Sequence, residues 1–139
     1  MTEALIEPFA PAHLDGLIAL VAAEGWTEYT DDVDRTHRAL TAPGVTTLVA
    51  TLDRRVVGAI QVQSDGLIQA HVSMLLIDRN SRGTGLGSRL LRNGLERAGG
   101  LHLDIRTRTE GYYERLGASR SLGFRLTREN LGLSAMREH

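Results

Sequence analysis

The sequence predicts an α/β (α+β) domain built on one mixed, mostly antiparallel sheet of six to seven strands, flanked by about four helices. Three observations predict it. The first third of the chain carries apolar residues at helical spacing, the middle switches to strand periodicity, and the last third alternates between the two. That order of elements places one layer of sheet under helices on its faces. With 139 residues and 42% hydrophobic content, the chain fits one compact domain covering residues 1–139.

Residues 4–9 predict a short strand, pushed to an edge by Pro8. From Pro11 to Glu24, Leu14, Leu17, Ile18, Val21 and Ala22 recur at helical spacing, and Gly25 supplies the stop. Thr30 is the expected cap of a second helix in which Val33, His37 and Leu40 share a face, ended by Pro43-Gly44. Residues 45–52, 56–63 and 67–77 predict three strands joined by turns at Asp53-Arg54 and Asp65-Gly66, hence an antiparallel meander. In the last of them simple alternation puts Ile68, Ala70, Val72, Met74 and Leu76 on one face. Leu86, Leu90, Leu91, Leu95 and Ala98 form the apolar stripe of a third helix, ended by Gly99-Gly100. Beyond it the expected elements are a strand at 101–105, a short helix at 109–116, a strand at 122–126 and a last strand at 131–137.

Composition removes several kinds of chemistry. There is no cysteine, so thiolate nucleophiles, thiolate metal sites and disulfides are excluded. All sixteen basic residues are arginine, which excludes a lysine Schiff base and a P-loop lysine. A net charge of −1 provides no basic field, so nucleic acid is not an expected partner. No run approaches the roughly 18 apolar residues of a membrane span. The N-terminal residues lack the pattern of a secretory signal, and a cytoplasmic location is the default expectation. The five histidines and the carboxylates show no ligand spacing, so no metal is expected.

The strongest chemical signal is Arg82-Gly83-Thr84-Gly85-Leu86-Gly87, between a strand and an amphipathic helix. The first turn of a helix leaves backbone N–H groups without intrahelical partners, and its dipole favours an anion there. Glycines remove side chains that would hold a phosphate away, and they tolerate the backbone angles of such a nest. The dinucleotide fingerprint fits poorly, because the spacing is Gly-x-Gly-x-Gly after an antiparallel meander.

This turn, preceded by Leu75-Leu76-Ile77-Asp78, resembles the Arg/Gln-x-x-Gly-x-Gly/Ala signature of the GNAT N-acetyltransferases. Val56-Val57-Gly58 resembles that family's third-strand segment, and Tyr112-Tyr113-Glu114-Arg115-Leu116-Gly117 its Phe-Tyr-Glu-Lys-Leu-Gly helix. The resemblance covers nearly the whole chain. It implies the GNAT fold, with the sheet splayed between its fourth and fifth strands, and acetyl-CoA as donor. It places the pyrophosphate on Arg82, Gly83, Thr84, Gly85, Leu86, Gly87 and Ser88, and the pantetheine arm beside Leu75, Leu76 and Ile77. It implies an acceptor that is a primary amine on a small molecule, peptide or protein, and it allows a homodimer. The chain departs from the family at Arg106–Glu110, where relatives often carry an Asn before the Phe-Tyr pair.

Acyl transfer to an amine needs a neutral amine, an aligned carbonyl, a home for the oxyanion and a proton for the leaving thiolate. Tyr113 matches the family's proton-donating Tyr. Asp104, whose neighbours Leu103 and Ile105 point the other way, is the expected base, with His71 second. Glu24 and Glu28 flank Trp26 in a loop that walls the acceptor pocket in relatives. The alternative reading keeps the fold and the donor but not the chemistry: an acyl-CoA-binding sensor module.

Overall fold

The computed structural model describes residues 3–109 and 111–136. The chain divides into two compact units, residues 1–105 and 106–139. The first holds a five-stranded sheet in the order β1-β2-β3-β4-β5, formed by β1 (Leu5–Pro8), β2 (Val45–Leu52), β3 (Arg55–Ser64), β4 (Gln69–Ile77) and β5 (His102–Ile105). The first four strands pair antiparallel, whereas β5 joins β4 in parallel after a helical crossover. The mixed, mostly antiparallel sheet is therefore present.

Helix α1 (Leu14–Ala23) follows a single 3-10 turn at Pro11–His13. The short α2 (Thr27–Thr30) takes up Thr30, and the cap of α3 (Val33–Leu40) is Asp32 rather than Thr30. The Asp32 carboxylate accepts from the Arg35 N–H at 3.0 Å, which satisfies an orphan donor of the first turn. At the other end of α3, two buried side chains reach carbonyls that the helix cannot satisfy itself. Thr47 Oγ1 donates to the Leu40 carbonyl at 2.7 Å and Gln61 Nε2 to the Ala39 carbonyl at 3.1 Å. Helix α4 (Leu86–Ala98) covers the opposite face of the sheet.

Two apolar clusters result. Leu86 and Leu90 of α4 pack with Leu48, Ala50, Ile60, Val62, Ala70 and Val72 on one face. Leu17, Val21 and Leu40 of α1 and α3 pack with Val49, Ala59, Met74 and Leu76 on the other. The expected alternation along β4 is thus corrected: Ala70 and Val72 face α4, but Met74 and Leu76 face α1 and α3. A β-bulge is the cause. Val62 pairs with Val72 and Gln61 with Met74, so Ser73 is the extra residue and every later side chain changes face.

The second unit holds α5 (Tyr112–Arg115) and a 3-10 turn at Glu129–Leu131. Of the helix expected at 109–116, residue 110 lies outside the described residues. The strand expected at 122–126 is absent, as is one at 131–136, and residue 137 is outside the described residues. Among the described residues five strands therefore stand where six to seven were expected. Alternation alone does not make a strand, which needs a ladder partner and a face to bury. Leu122, Phe124 and Leu126 have neither, and they are 84%, 81% and 66% exposed.

Candidate active site

In β4 the hydrogen-bonding direction alternates from one residue to the next, and the Asp78 N–H donates to the Val57 carbonyl on the β3 side at 2.8 Å. The backbone groups of Ile77 and Leu75 consequently point to the outer edge. Among the described residues that edge has a ladder partner only at first. The parallel ladder with β5 runs from Gln69–His102 to Val72–Ile105 and stops there, while β4 continues five residues further. The sheet therefore opens between β4 and β5 at the bulged Ser73, and Leu75 and Ile77 lie along the open stretch. Gln61, 3% exposed, sits at the bulge: Ser73 Oγ donates to Gln61 Oε1 at 2.8 Å, and the Gln61 amide in turn holds α3.

The open edge leads through a 3-10 turn at Arg79–Ser81 into the glycine turn and α4. Gly83 and Gly85 take φ of +76° and +84°, which a β-carbon would strain. A β-carbon on either would meet no protein atom within 4 Å, so space is open above the turn, and backbone conformation is what demands glycine. Thr84 Oγ1 braces the turn from within by donating to the Ser81 carbonyl at 2.6 Å. Gly85 is the N-cap of α4 and offers no side-chain oxygen to the first turn, and the helix dipole favours an anion beyond that turn. Leu86 is buried and anchors that turn in the core. The donor set suits a phosphate: backbone N–H groups, open space and a helix terminus of thirteen residues. Arg82 is differently disposed. Its Nε donates to the Ile77 carbonyl at 3.2 Å and an Nη to Glu24 Oε1 at 2.7 Å.

Asp104 lies opposite His71, one step before the β4–β5 ladder ends. Both are exposed, and with Gln63 and Gln69 they line a shallow cleft of about 290 Å³. Asp104 is thus in a solvent-exposed cleft beside the paired stretch of β4 and β5. Asp65, at the rim of this cleft, is committed to structure. Its carboxylate accepts from the Leu67, Ile68 and Gln69 N–H groups, and these bonds, the one from Ile68 foremost, hold its pKa below the usual carboxylate value. A larger cleft of about 390 Å³ between Phe9, Thr41, Thr46 and Arg97 contains none of the expected site residues. In the second unit, Tyr113 packs edge-on against Tyr112 with ring centroids 5.0 Å apart. Burial, and secondarily the neighbouring Tyr112, push the Tyr113 phenol above its ordinary value, so it stays protonated well past neutral pH. Among the described residues no group of His, Asp or Glu could hold a metal ion, and no helix is long and apolar enough to cross a membrane.

A sheet whose β4–β5 ladder stops short beside a glycine turn at a helix N-terminus is the α/β arrangement that the sequence resemblance implied, and comparison with known proteins identifies the family. The family model for the acetyltransferase (GNAT) domain matches residues 13–137, and the chain belongs to that family. Solved structures agree in fold. A ribosomal-protein-alanine N-acetyltransferase from Brucella melitensis biovar Abortus is 18% identical with a TM-score of 0.72, over 91% of this chain and 99% of that one. An aminoglycoside acetyltransferase from an uncultured soil metagenomic sample, solved with sisomicin, is 18% identical with a TM-score of 0.68, over 89% and 95%. A transcriptional regulator from Bacillus halodurans is 20% identical with a TM-score of 0.71, over 89% and 99%. No curated protein matches.

Proposed function

We propose that this acetyltransferase moves an acetyl group from acetyl-CoA to a primary amine by direct attack in a ternary complex. The observation that carries the reading is the continuity of the β4 edge beyond Val72 with the glycine N-cap of α4. An extended pantetheine arm fits such an edge as an added strand fits a sheet, and a pyrophosphate fits the turn at its end. Leu75, Leu76 and Ile77 are the proposed contacts of the arm, and Gly83, Thr84, Gly85, Leu86, Gly87 and Ser88 those of the pyrophosphate. The coenzyme supplies the activated thioester.

The chain supplies the rest. An outward N–H of Leu75 or Ile77 polarises the thioester carbonyl and holds the oxyanion. The acceptor is proposed to enter as an amine on a small molecule, peptide or protein, and Asp104, beside His71, takes its proton. The free amine nitrogen then forms the C–N bond, the C–S bond breaks, Tyr113 gives its phenolic proton to the departing thiolate, and the proton that the new amide nitrogen sheds returns through water to the Tyr113 oxygen. The protonated state of Tyr113 at neutral pH suits that role. Thiol release from acetyl-CoA, followed over a panel of amino acids, polyamines, aminoglycosides and peptide N-termini, tests the proposal. At least one amine should release thiol stoichiometrically with acetylated product. Coenzyme binding with no release for any amine class would replace the enzyme by a sensor module of the same fold.

A further inference from the structure

Glu24 is the residue that follows the last turn of α1, capping its C-terminus. The helix dipole disfavours a carboxylate there. What offsets that placement is Arg82, 58 residues away in sequence, whose guanidinium reaches Glu24 Oε1 at 2.7 Å. The same guanidinium is tethered through Nε to the Ile77 carbonyl, at the end of the open β4 edge, and its backbone leads directly into Gly83. The arginine nearest the glycine turn therefore spends its charge on an internal anion. That pair is half exposed, with side chains 54% and 34% accessible, and exposed pairs of this kind are weak. A pyrophosphate offers more negative charge and several oxygens to the planar guanidinium fork, so it outcompetes a single carboxylate.

We propose that Glu24 is a positioning residue of the donor site, holding the Arg82 guanidinium in reserve until the coenzyme's pyrophosphate takes its place. The inference rests on the donor reading given above and adds to it a sign. Binding must disturb the Glu24–Arg82 pair, so neutralising Glu24 makes the coenzyme bind more tightly. A carboxylate that merely braced the loop would, on removal, loosen binding instead.

Calorimetric titration of coenzyme A at low ionic strength reads this directly, using wild type, Glu24→Gln, Glu24→Ala, Arg82→Gln and the Glu24→Gln/Arg82→Gln double variant. Both Glu24 variants should bind about threefold tighter than wild type, the size expected for releasing an exposed ion pair. Arg82→Gln should bind more weakly, and in its background Glu24→Gln should lose most of its effect. The gain should shrink as salt is raised toward about 1 M, where charges are screened within about 3 Å. Affinity in either Glu24 variant equal to or weaker than wild type overturns the inference while leaving the donor site in place. Failure of wild type itself to bind coenzyme A overturns the donor reading and the inference with it.

Discussion

At the scale of single residues, the two side chains proposed to carry the proton transfers differ in their surroundings. Tyr113 is half-buried and its phenol is held above its ordinary pKa by that burial, so it is protonated at neutral pH, as the proposed acid has to be. Tyr113→Phe should slow turnover by about 10²–10⁴-fold, the usual span for a general acid, with coenzyme affinity nearly unchanged. Asp104 is exposed and faces His71 across the ladder. Asp104→Asn should depress activity most near neutral pH and least at high pH, where the free amine is already abundant, since alkylammonium groups have pKa values near about 10. Steady-state rates from pH 6 to pH 10 check both, and an unaltered pH–rate profile for Asp104→Asn would leave proton removal to a water relay. The glycine turn was legible in sequence because three alternate glycines precede an amphipathic helix. The Arg82–Glu24 pair was not, because nothing local to either residue announces a partner 58 positions away. Gln61 was equally silent: its role depends on lying beside a bulge that only the register reveals.

At the scale of elements, β2 matches its expected span of 45–52 to the residue, because its apolar run is bounded by Pro43-Gly44 and the Asp53-Arg54 turn. Both of those turn residues take positive φ, 52° and 66°, as a tight hairpin requires. The face assignment of β4 failed past Ser73 because a bulge is a count of residues against the partner strand, with no residue-type signature of its own. The strands expected at 122–126 and 131–137 failed for a different reason, since apolar alternation states what a strand could bury but supplies no ladder. The turn into α4 is the element that decides the donor site. Gly85→Asn keeps an amino acid that tolerates the left-handed region while placing a side chain in the space open above the turn. The variant should melt near wild type without ligand and bind acetyl-CoA about tenfold more weakly, a loss of about 1.4 kcal/mol. Affinity equal to wild type would move the phosphate cradle elsewhere.

At the scale of the molecule, membership of the GNAT acetyltransferase family is shown by a match over residues 13–137, and the relatives of like fold carry unlike names, from N-acetyltransferases to a transcriptional regulator. Fold alone therefore does not state the chemistry, which is argued from the proposed donor site. In that proposal the coenzyme lies along the outer edge of β4 and ends on the first turn of α4. Titrating acetyl-CoA into the isotopically labelled protein and following every backbone amide resonance tests that claim most directly. The predicted result is that the largest shifts fall on Leu75, Leu76 and Ile77 and on Gly83 to Ser88, with smaller changes at Glu24 and at Arg82. Shifts centred instead on the cleft between Phe9, Thr46 and Arg97, or no saturable shifts at all, would contradict it.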